Sequence, residues 1–313
     1  MRLGFLGLGK MGTPMALNLS HHFPLTVWNR SPSKYPPLLQ PGSTAKPAAT
    51  PLQLIHQSDL IFLMLFNEQA ILSILTPDLI PHLRNKTLVN TSSVSVPFSQ
   101  HLNTSITTTG GTFIEMPVSG SKIPAQQGRL VGMLAANNPS LADSIRPYIQ
   151  PMTSAAIYCG PVGSGLKMKY AVNTFLITVT VGLAEAANLA SAQGLDLDAF
   201  GQVLEAGPMA SAYSKLKVDK ILREDWSAQA TIKDCYNSTQ LITAAAEGAG
   251  AETLLTQLCG SLYKRAIESG LADEDMISVV KCLPTRGDDE CCVKKGAFKV
   301  ENEGKQERIP GCL

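Results

Sequence analysis

Gly163-Ser-Gly-Leu-Lys-Met-Lys-Tyr-Ala-Val-Asn173 begins a helical pattern that runs to about Gln193, where Gly194 ends it. At ~1.5 Å per residue, a helix of this length spans about 45 Å. A helix that long in a chain of 313 residues must connect two bodies rather than lie on one. The sequence therefore predicts two domains joined by one long interdomain helix.

Two polar side chains, Lys169 and Asn173, stand near the start of this helix, four residues apart and therefore on one face. From Lys169 to Glu185 the helix has no charge and is mostly apolar, so we expect it to be buried on nearly all sides. Burial disfavours an ammonium group, which makes Lys169 a candidate acid or base near neutral pH. A solvated lysine at a helix end is the alternative interpretation.

A transmembrane span is a second interpretation of the same run. The uncharged part is shorter than the ~20 apolar residues that cross a bilayer. It also contains Asn173, three threonines and Gly182. We therefore expect no membrane insertion.

The composition indicates an ordinary soluble globular chain with a small-molecule partner. The chain is 44% hydrophobic and has a formal net charge of +1, which gives no overall field that would attract nucleic acid or an anionic membrane. Seven cysteines and five histidines show no metal-ligand spacing. We therefore expect reduced thiols, no metal and a cytoplasmic protein. The first strand begins at Arg2, so we expect no presequence.

The amino terminus has the pattern of a dinucleotide-binding unit. An apolar strand over residues 2–7 leads into Gly7-Leu-Gly-Lys-Met-Gly12, and a helical run follows over residues 15–19. Such glycines permit a tight turn and the close approach of a pyrophosphate to the helix N-terminus. The motif is weak alone, but its context is correct. The candidate cofactor-binding residues here are Gly7, Leu8, Gly9, Lys10, Met11 and Gly12.

The end of the second strand, residues 25–28, favours NADP over NAD. A carboxylate at this point would bind a free ribose 2′-hydroxyl and repel a 2′-phosphate. The sequence has Asn29-Arg30-Ser31 instead, with Lys34 close behind. These residues offer hydrogen-bond donors and positive charge to a phosphate. We therefore expect NADP(H) as the cofactor, with a solvated loop arginine as the alternative.

Further strands alternate with amphipathic segments, which predicts a doubly wound parallel sheet of Rossmann type. The predicted strands cover residues 60–65, 87–90, 112–116 and 129–134, and prolines between residues 36 and 51 indicate loops. Ligands of such sheets lie beyond the carboxyl ends of the strands. Leu65 and Ser93 are cofactor candidates there. Pro117-Val-Ser-Gly-Ser121 is a candidate anion cradle, or an ordinary turn.

Three of these stretches together resemble the β-hydroxyacid dehydrogenase family, which includes 3-hydroxyisobutyrate dehydrogenase and the dinucleotide domain of 6-phosphogluconate dehydrogenase. They are Gly7-x-Gly-x-x-Gly12, Pro117-Val-Ser-Gly-Ser121 and Gly163-x-Gly-x-x-x-Lys169-x-x-x-Asn173. The similarity covers about residues 1–280. It implies that the first stretch binds cofactor phosphates and that Ser119, Gly120 and Ser121 bind a substrate carboxylate. It also implies that Lys169 is catalytic, with Asn173 as its partner.

Within that family the chain looks most like the glyoxylate/succinic semialdehyde reductase branch. The similar stretches are Val27-Trp-Asn-Arg30, residues 117–125 and Leu166-Lys-Met-Lys169. In that branch an aromatic residue precedes a Lys-Asp pair, as Trp226 precedes Lys233 and Asp234 here. The resemblance implies that Trp226 walls the substrate pocket, that Lys233 approaches the cofactor and that Asp234 lies near the substrate. The loop Asn90-Thr-Ser-Ser93 departs from the family, which has Asp and Thr there.

The chemistry implied by the resemblance is carbonyl reduction. Hydride transfer to an aldehyde leaves negative charge on its oxygen, and Lys169 can neutralise it by donating a proton. We expect an NADPH-dependent reductase of a small aldehyde acid, such as glyoxylate or succinic semialdehyde. The alternatives are a 3-hydroxyisobutyrate-type dehydrogenase, an enzyme like the imine reductases, which typically lack the lysine, and a catalytically silent NADP-binding interaction module.

The predicted organisation has three parts. Residues 1–162 form the NADP-binding Rossmann domain. Residues 163–284 form an all-α domain for substrate binding and oligomerisation that starts with the interdomain helix, because helical periodicity continues and hairpin signals are few. Residues 285–313 are a charged tail that we expect to be disordered. The apolar interdomain helix and the alanine-rich helical domain predict a homodimer or homotetramer.

Overall fold

One sheet of nine strands organises the first 160 residues in the computed structural model, which describes residues 1–283. The strands are β1 Leu3–Leu6, β2 Leu25–Trp28, β3 Ala45–Pro47, β4 Leu60–Leu63, β5 Thr87–Asn90, β6 Thr112–Glu115, β7 Val118–Ser119, β8 Leu130–Ala135 and β9 Thr153–Gly160. The helices between them are α1 Gly12–Ser20, α2 Pro51–Gln57, α3 Glu68–Leu72, α4 Val96–Thr108, α5 Lys122–Gln126, α6 Pro139–Ser144 and α7 Arg146–Ile149.

The strand order confirms the predicted doubly wound fold. The order along the sheet is β3-β2-β1-β4-β5-β6-β8-β7, and β9 pairs with β8. Strands β1 to β6 are all parallel, with Leu3 of β1 opposite both Leu25 of β2 and Leu60 of β4. The order reverses between β1 and β4, and a crevice for a ligand opens at such a point, outside the carboxyl ends of the strands.

Three strands and one orientation differ from the sequence-based expectation. Strand β8 runs antiparallel to β6 and β7, so the sheet is mixed at this edge. Strands β3, β7 and β9 were not predicted. The proline-rich stretch after β2, expected to be loops, contains β3 and the start of α2. Pro47 lies on the outermost strand, where a missing N–H costs little, and Pro51 begins α2 behind the Thr50 cap.

The predicted long helix is present as α8, Ser164–Ala192, directly after β9. It contacts β8 and β9 of the sheet at its start, and it then packs against the helices of the second half. These helices are α9 Leu197–Ala206, α10 Ala212–Leu222, α11 Ile232–Gly248 and α12 Leu254–Glu268, followed by a 3₁₀ helix Met276–Cys282. The predicted tail, residues 285–313, lies outside the described residues.

Helix α8 is not buried on nearly all sides, contrary to the expectation. Only 11 of its 29 residues are buried. Met168, Val172, Phe175 and Leu189 are exposed, and Phe175 is 71% exposed. Met168, Val172 and Phe175 recur every three or four residues, and Leu189 lies about four turns further along the same side of the helix. The sequence showed that the helix is apolar all round, but not which face the chain leaves uncovered.

By length and composition, α8 is the one helix among the described residues that is long and apolar enough to cross a membrane. Core helices of soluble proteins have the same property. The opposite face of α8 packs against α11, α12 and the last 3₁₀ helix. One packed face and one exposed apolar face are typical of a helix that contacts another protein surface.

A buried ion pair fixes the centre of the helical half. Lys217 Nζ lies 2.6 Å from Asp275 Oδ1, and the two side chains are 2% and 0% exposed. Asp275 also accepts hydrogen bonds from the backbone N–H groups of Gln229 and Ile277. Burial lowers the pKa of Lys217, and the Asp275 carboxylate opposes that shift. The pair joins α10 to the start of the last 3₁₀ helix, and through Gln229 to the loop before α11.

Candidate active site

The turn after β1 has the geometry of a dinucleotide cradle. Gly7 has φ +98°, and a Cβ atom there would lie 2.2 Å from the carbonyl oxygen of Met64. Only glycine fits this position. A Cβ atom on Gly9 would meet nothing within 4 Å, so open space adjoins the turn where a pyrophosphate would approach the start of α1. The residues from Gly7 to Gly12 therefore fit a dinucleotide phosphate.

The residues after β2 form a cationic surface beside this turn. Asn29 supports the turn, because its Oδ1 accepts from the Leu8 N–H at 2.9 Å and its own N–H donates to the Tyr35 hydroxyl. Arg30 and Lys34 are exposed and make no ion pair with any described residue. Both cations are available to a ribose phosphate, whereas the Asn29 side chain has a supporting role.

The loops after β4 and β5 are held together by Ser92. Its Oγ accepts from the Leu65 N–H at 2.9 Å, and its own N–H donates to Asn90 Oδ1 at 3.0 Å. Asn90 is fully buried. Ser93, the predicted cofactor contact, is the next residue and is half-buried. The residue that fixes the loop was therefore missed, although it lies beside the predicted one.

Lys169 meets the predicted anion cradle. Its Nζ donates to the carbonyl oxygen of Val118 at 2.8 Å, next to Ser119 and Gly120. Desolvation lowers the pKa of Lys169 to about 8, and the nearby Cys235 slightly opposes this shift. Gly120 has φ +126°, a conformation that disfavours a side chain. The structure thus brings together a lysine with a lowered pKa and the segment that contains Ser119 and Gly120.

Asn173 lies one helical turn beyond Lys169 and is 8% exposed. Its Nδ2 donates to Ser238 Oγ on α11 at 3.4 Å. Its Oδ1 is buried and has no hydrogen-bond partner within the described chain. An unpaired buried acceptor is costly, so a donor from a substrate or from the Lys169 ammonium would stabilise it. Ser238 was not predicted.

The start of α8 is fixed by Glu115, a residue for which the sequence suggested no role. Glu115 is fully buried at the end of β6. Its carboxylate accepts from the N–H groups of Gly163 at 3.2 Å and Leu166 at 2.9 Å, and from Ser99 Oγ at 2.5 Å. A carboxylate at a helix N-terminus satisfies donors that have no partner inside the helix. Burial raises the pKa of Glu115, while these hydrogen bonds lower it.

Three predicted residues of the helical half have contacts that assign them local roles. Lys233 forms an ion pair with Asp273. Asp234 caps α11, because its Oδ2 accepts from the Thr231 N–H at 3.2 Å and hydroxyl at 2.5 Å. Lys281 Nζ lies 4.4 Å from the centroid of the half-buried Trp226 ring. The predicted substrate contacts of Asp234 and Trp226, and of Ser121 at the start of α5, stay predictions.

Four of the catalytic and substrate candidates, Lys169, Asn173, Ser119 and Gly120, therefore fall into one connected group. Lys169 and Asn173 share a face of α8, and Lys169 contacts the loop that contains Ser119 and Gly120. No cluster of three or more potential metal-ligating side chains occurs among the described residues. The expectation that the enzyme uses no metal stays a prediction. The arrangement can place a proton donor beside a bound carboxylate ligand.

Comparison with known proteins matches almost all of the described chain. Residues 2–160 match the NAD binding domain of 6-phosphogluconate dehydrogenase. Residues 163–283 match the NAD-binding region of NADP-dependent 3-hydroxyisobutyrate dehydrogenase. Both matches lie in the order that the sequence motifs implied.

Two curated relatives and one solved structure extend these matches. The chain is 32% identical over 285 residues to the chloroplastic glyoxylate/succinic semialdehyde reductase 2 of Arabidopsis thaliana, covering 90% of this chain and 79% of the relative. It is 30% identical over 287 residues to glyoxylate/succinic semialdehyde reductase 1 of the same plant, covering 90% and 98%. The 3-hydroxyisobutyrate dehydrogenase of Salmonella typhimurium has the same fold, with a TM-score of 0.82 at 18% identity over 90% of this chain and all of that one.

Proposed function

Because the chain belongs to the β-hydroxyacid dehydrogenase family, we propose that it is an NADPH-dependent reductase of small aldehyde acids. The family consists of NAD(P)-dependent oxidoreductases of the 3-hydroxyisobutyrate dehydrogenase type, and this chain is one of them. The observation that carries the finer proposal is the contact of Lys169 Nζ with the Val118 carbonyl oxygen at 2.8 Å. It joins a proton donor to the loop proposed to bind the substrate carboxylate.

In the proposed reaction, Lys169 protonates the substrate. When bound, NADPH would supply the hydride for the aldehyde carbon. Lys169 then donates its proton to the oxygen, where negative charge develops, and its lowered pKa makes this transfer easier near neutral pH. In the reverse direction the neutral amine would accept the proton from the hydroxy acid.

Ser119 and Gly120 would orient the substrate through its carboxylate. We assign this contact to the Ser119 hydroxyl and the Gly120 N–H, in the segment that Lys169 contacts. The buried Asn173 Oδ1 lacks a partner among the described residues, and we assign to it a hydrogen bond from the substrate hydroxyl or the Lys169 ammonium. Fixing the acid at one end places its carbonyl carbon for hydride transfer.

NADPH is the proposed cofactor because two exposed cations follow β2. Arg30 and Lys34 have no ion-pair partner among the described residues. No carboxylate follows β2 at the position that would bind a free 2′-hydroxyl. A 2′-phosphate would gain charge-assisted hydrogen bonds from both side chains.

The proposed substrates are glyoxylate and succinic semialdehyde, which appear in the names of two relatives at 32% and 30% identity. The test is NADPH consumption with a panel that contains both aldehydes, their uncharged analogues without a carboxylate, and a cyclic imine. We expect turnover of one or both aldehyde acids and a much higher KM for the uncharged analogues. Turnover of the imine alone, or of no member of the panel, would contradict the proposal.

We also propose a homodimer or homotetramer in which a second copy covers the exposed face of α8. Met168, Val172, Phe175 and Leu189 are exposed apolar side chains on one side of this helix. Leu254, Leu255 and Leu258 of α12 add exposed apolar side chains in the same half of the chain. A soluble monomer rarely leaves such large apolar surfaces open to water.

A further inference from the structure

One buried carboxylate holds the start of α8 against the sheet and against α4. Glu115, at the end of β6, is fully buried. It accepts hydrogen bonds from Ser99 Oγ of α4 at 2.5 Å, and from the N–H groups of Gly163 at 3.2 Å and Leu166 at 2.9 Å. The sheet, α4 and the first turn of α8 therefore meet at a single side chain.

The glycines at the start of α8 explain why the helix needs this carboxylate. Gly163, which precedes the helix, has φ +100° and no side chain that could cap it. Gly165 lets the helix approach closely, because a Cβ atom there would lie 2.9 Å from Glu115 Oε1 and 2.5 Å from the Met133 carbonyl oxygen. Without Glu115, N–H groups of the first turn would be buried with no acceptor, which is costly.

The segment that contains Glu115 contacts α8 a second time, at Lys169. Lys169 lies three residues beyond Leu166, which is less than one helical turn. Its Nζ donates to the carbonyl oxygen of Val118 at 2.8 Å, and Val118 lies three residues beyond Glu115. The first contact fixes the helix backbone, and the second fixes the ammonium group. A shift of the first turn of α8 would therefore move Lys169 relative to the segment that follows Val118.

We infer that Glu115 is a positioning residue for the proposed reaction, because it holds the first turn of α8 where Lys169 can reach the substrate. The inference rests on the proposed function, in which Lys169 is the acid. Glu115 acts through the helix and not by touching the substrate, since its side chain is closed to solvent.

The surroundings of Glu115 and Lys169 leave position as the link between them. No cation pairs with Glu115 among the described residues, so hydrogen bonds hold its carboxylate. The titratable side chains within electrostatic reach are Cys159 and Tyr170 for Glu115 and Cys235 for Lys169. Burial raises the pKa of all three, so none is charged near neutral pH.

Glu115→Gln tests the inference, because the amide keeps the shape but places an N–H group among donors. We expect kcat for aldehyde reduction to fall about 10- to 100-fold, as for a misplacement of about 1 Å. The pH at which kcat falls should rise above 8, because a displaced Lys169 is better hydrated. The Kd for NADPH should stay within about two-fold of the parent, since the glycine-rich turn belongs to β1 and α1.

A second measurement does not depend on activity. The folded, full-length protein is labelled with acetic anhydride between about pH 6 and pH 11, and peptide mass spectrometry gives the extent of labelling at Lys169. Only the neutral amine reacts, so the midpoint of this curve reports the pKa of Lys169. It should lie near 8 in the parent and higher in Glu115→Gln.

Glu68→Gln is the matched control. Glu68 is a half-buried carboxylate that accepts from the Ser95 N–H at 2.9 Å, directly before α4, so it serves a different helix. This variant should keep kcat within about two-fold and leave both pH midpoints unchanged. Ser99→Ala removes one hydrogen bond from Glu115 and leaves its contacts with α8. It should change kcat and both midpoints in the same direction as Glu115→Gln but less, and it provides the test if Glu115→Gln does not fold.

Three results would overturn the inference while leaving the proposed function intact. They are parental kcat and midpoints in Glu115→Gln, a lowered kcat with unchanged midpoints, and an equal loss of kcat in Glu68→Gln. A parent that reduces no aldehyde acid would instead refute the proposed function. The labelling midpoints would then still decide whether Glu115 positions Lys169.

Discussion

Replacing Lys169 tests the proposed chemistry most directly. With a pKa of about 8, this lysine is ~90% protonated at pH 7 and only ~10% protonated at pH 9. Reduction needs the ammonium form, so kcat for aldehyde reduction should be highest below pH 8 and should fall as pH rises through about 8. Oxidation of the hydroxy acid needs the neutral amine, so its kcat should rise over the same range.

Lys169→Ala should lower kcat for reduction by ~10²- to 10⁴-fold, which is the usual contribution of a general acid. This range corresponds to ~2.7–5.4 kcal/mol of transition-state stabilisation. The fall in kcat above pH 8 should also disappear, because the titrating group is gone. The assay is the initial rate of NADPH consumption at saturating aldehyde between pH 6 and 10. A separate titration should give a Kd for NADPH near that of the parent.

Lys167 is the matched control on the same helix. It is exposed and lies two residues away, which is about 200° around the helix axis from Lys169. Lys167→Ala should retain kcat within a few-fold of the parent and the same pH profile. If Lys169→Ala keeps the parental rate, or loses rate but keeps the fall above pH 8, the assignment of the acid is wrong. An inactive Lys167 variant beside an active Lys169 variant would place the acid on the other side of the helix.

Three further predictions concern cofactor choice, assembly and stability. Arg30→Ala should weaken NADPH by about 1.5–3 kcal/mol with little effect on NADH, as measured by fluorescence titration; equal losses for both cofactors would refute the phosphate contact. Phe175→Asp should convert the oligomer to a monomer in light scattering at micromolar concentration, and a monomeric parent would contradict the assembly. Lys217→Met leaves Asp275 buried without its cation, so it should lower the free energy of unfolding, measured in urea, by ~3–5 kcal/mol. The control is Lys215→Met at an exposed ion pair, which should lower the free energy of unfolding by less than ~1 kcal/mol.

The sequence predicted those elements in which local pattern and burial agree. Strands β2 and β5 have the predicted limits, because their short apolar runs are bounded by polar or proline-rich segments. Strand β9 was missed because its residues Thr153–Gly160 are mostly exposed or half-buried and show no alternation. The exposed face of α8 was missed for a different reason. Sequence alone cannot show which side of an apolar helix its own chain covers.

At the site, spacing along one element was predictable and contacts between elements were not. Lys169 and Asn173 were placed on one helix face by their spacing. Glu115 contacts backbone groups 48 and 51 residues away, and nothing local indicates that partnership. Asp234 shows the reverse case. Its pattern with Thr231 is a capping box that the sequence displays, although the family resemblance suggested a place near the substrate.

The contacts around β6 and β7 suggest that acid and substrate are aligned by a single segment. Glu115 fixes the start of α8, and three residues later the Val118 carbonyl accepts from Lys169. Ser119 and Gly120, the proposed carboxylate contacts, follow at once. The distance between acid and substrate is therefore set within residues 115–120 and the first two turns of α8.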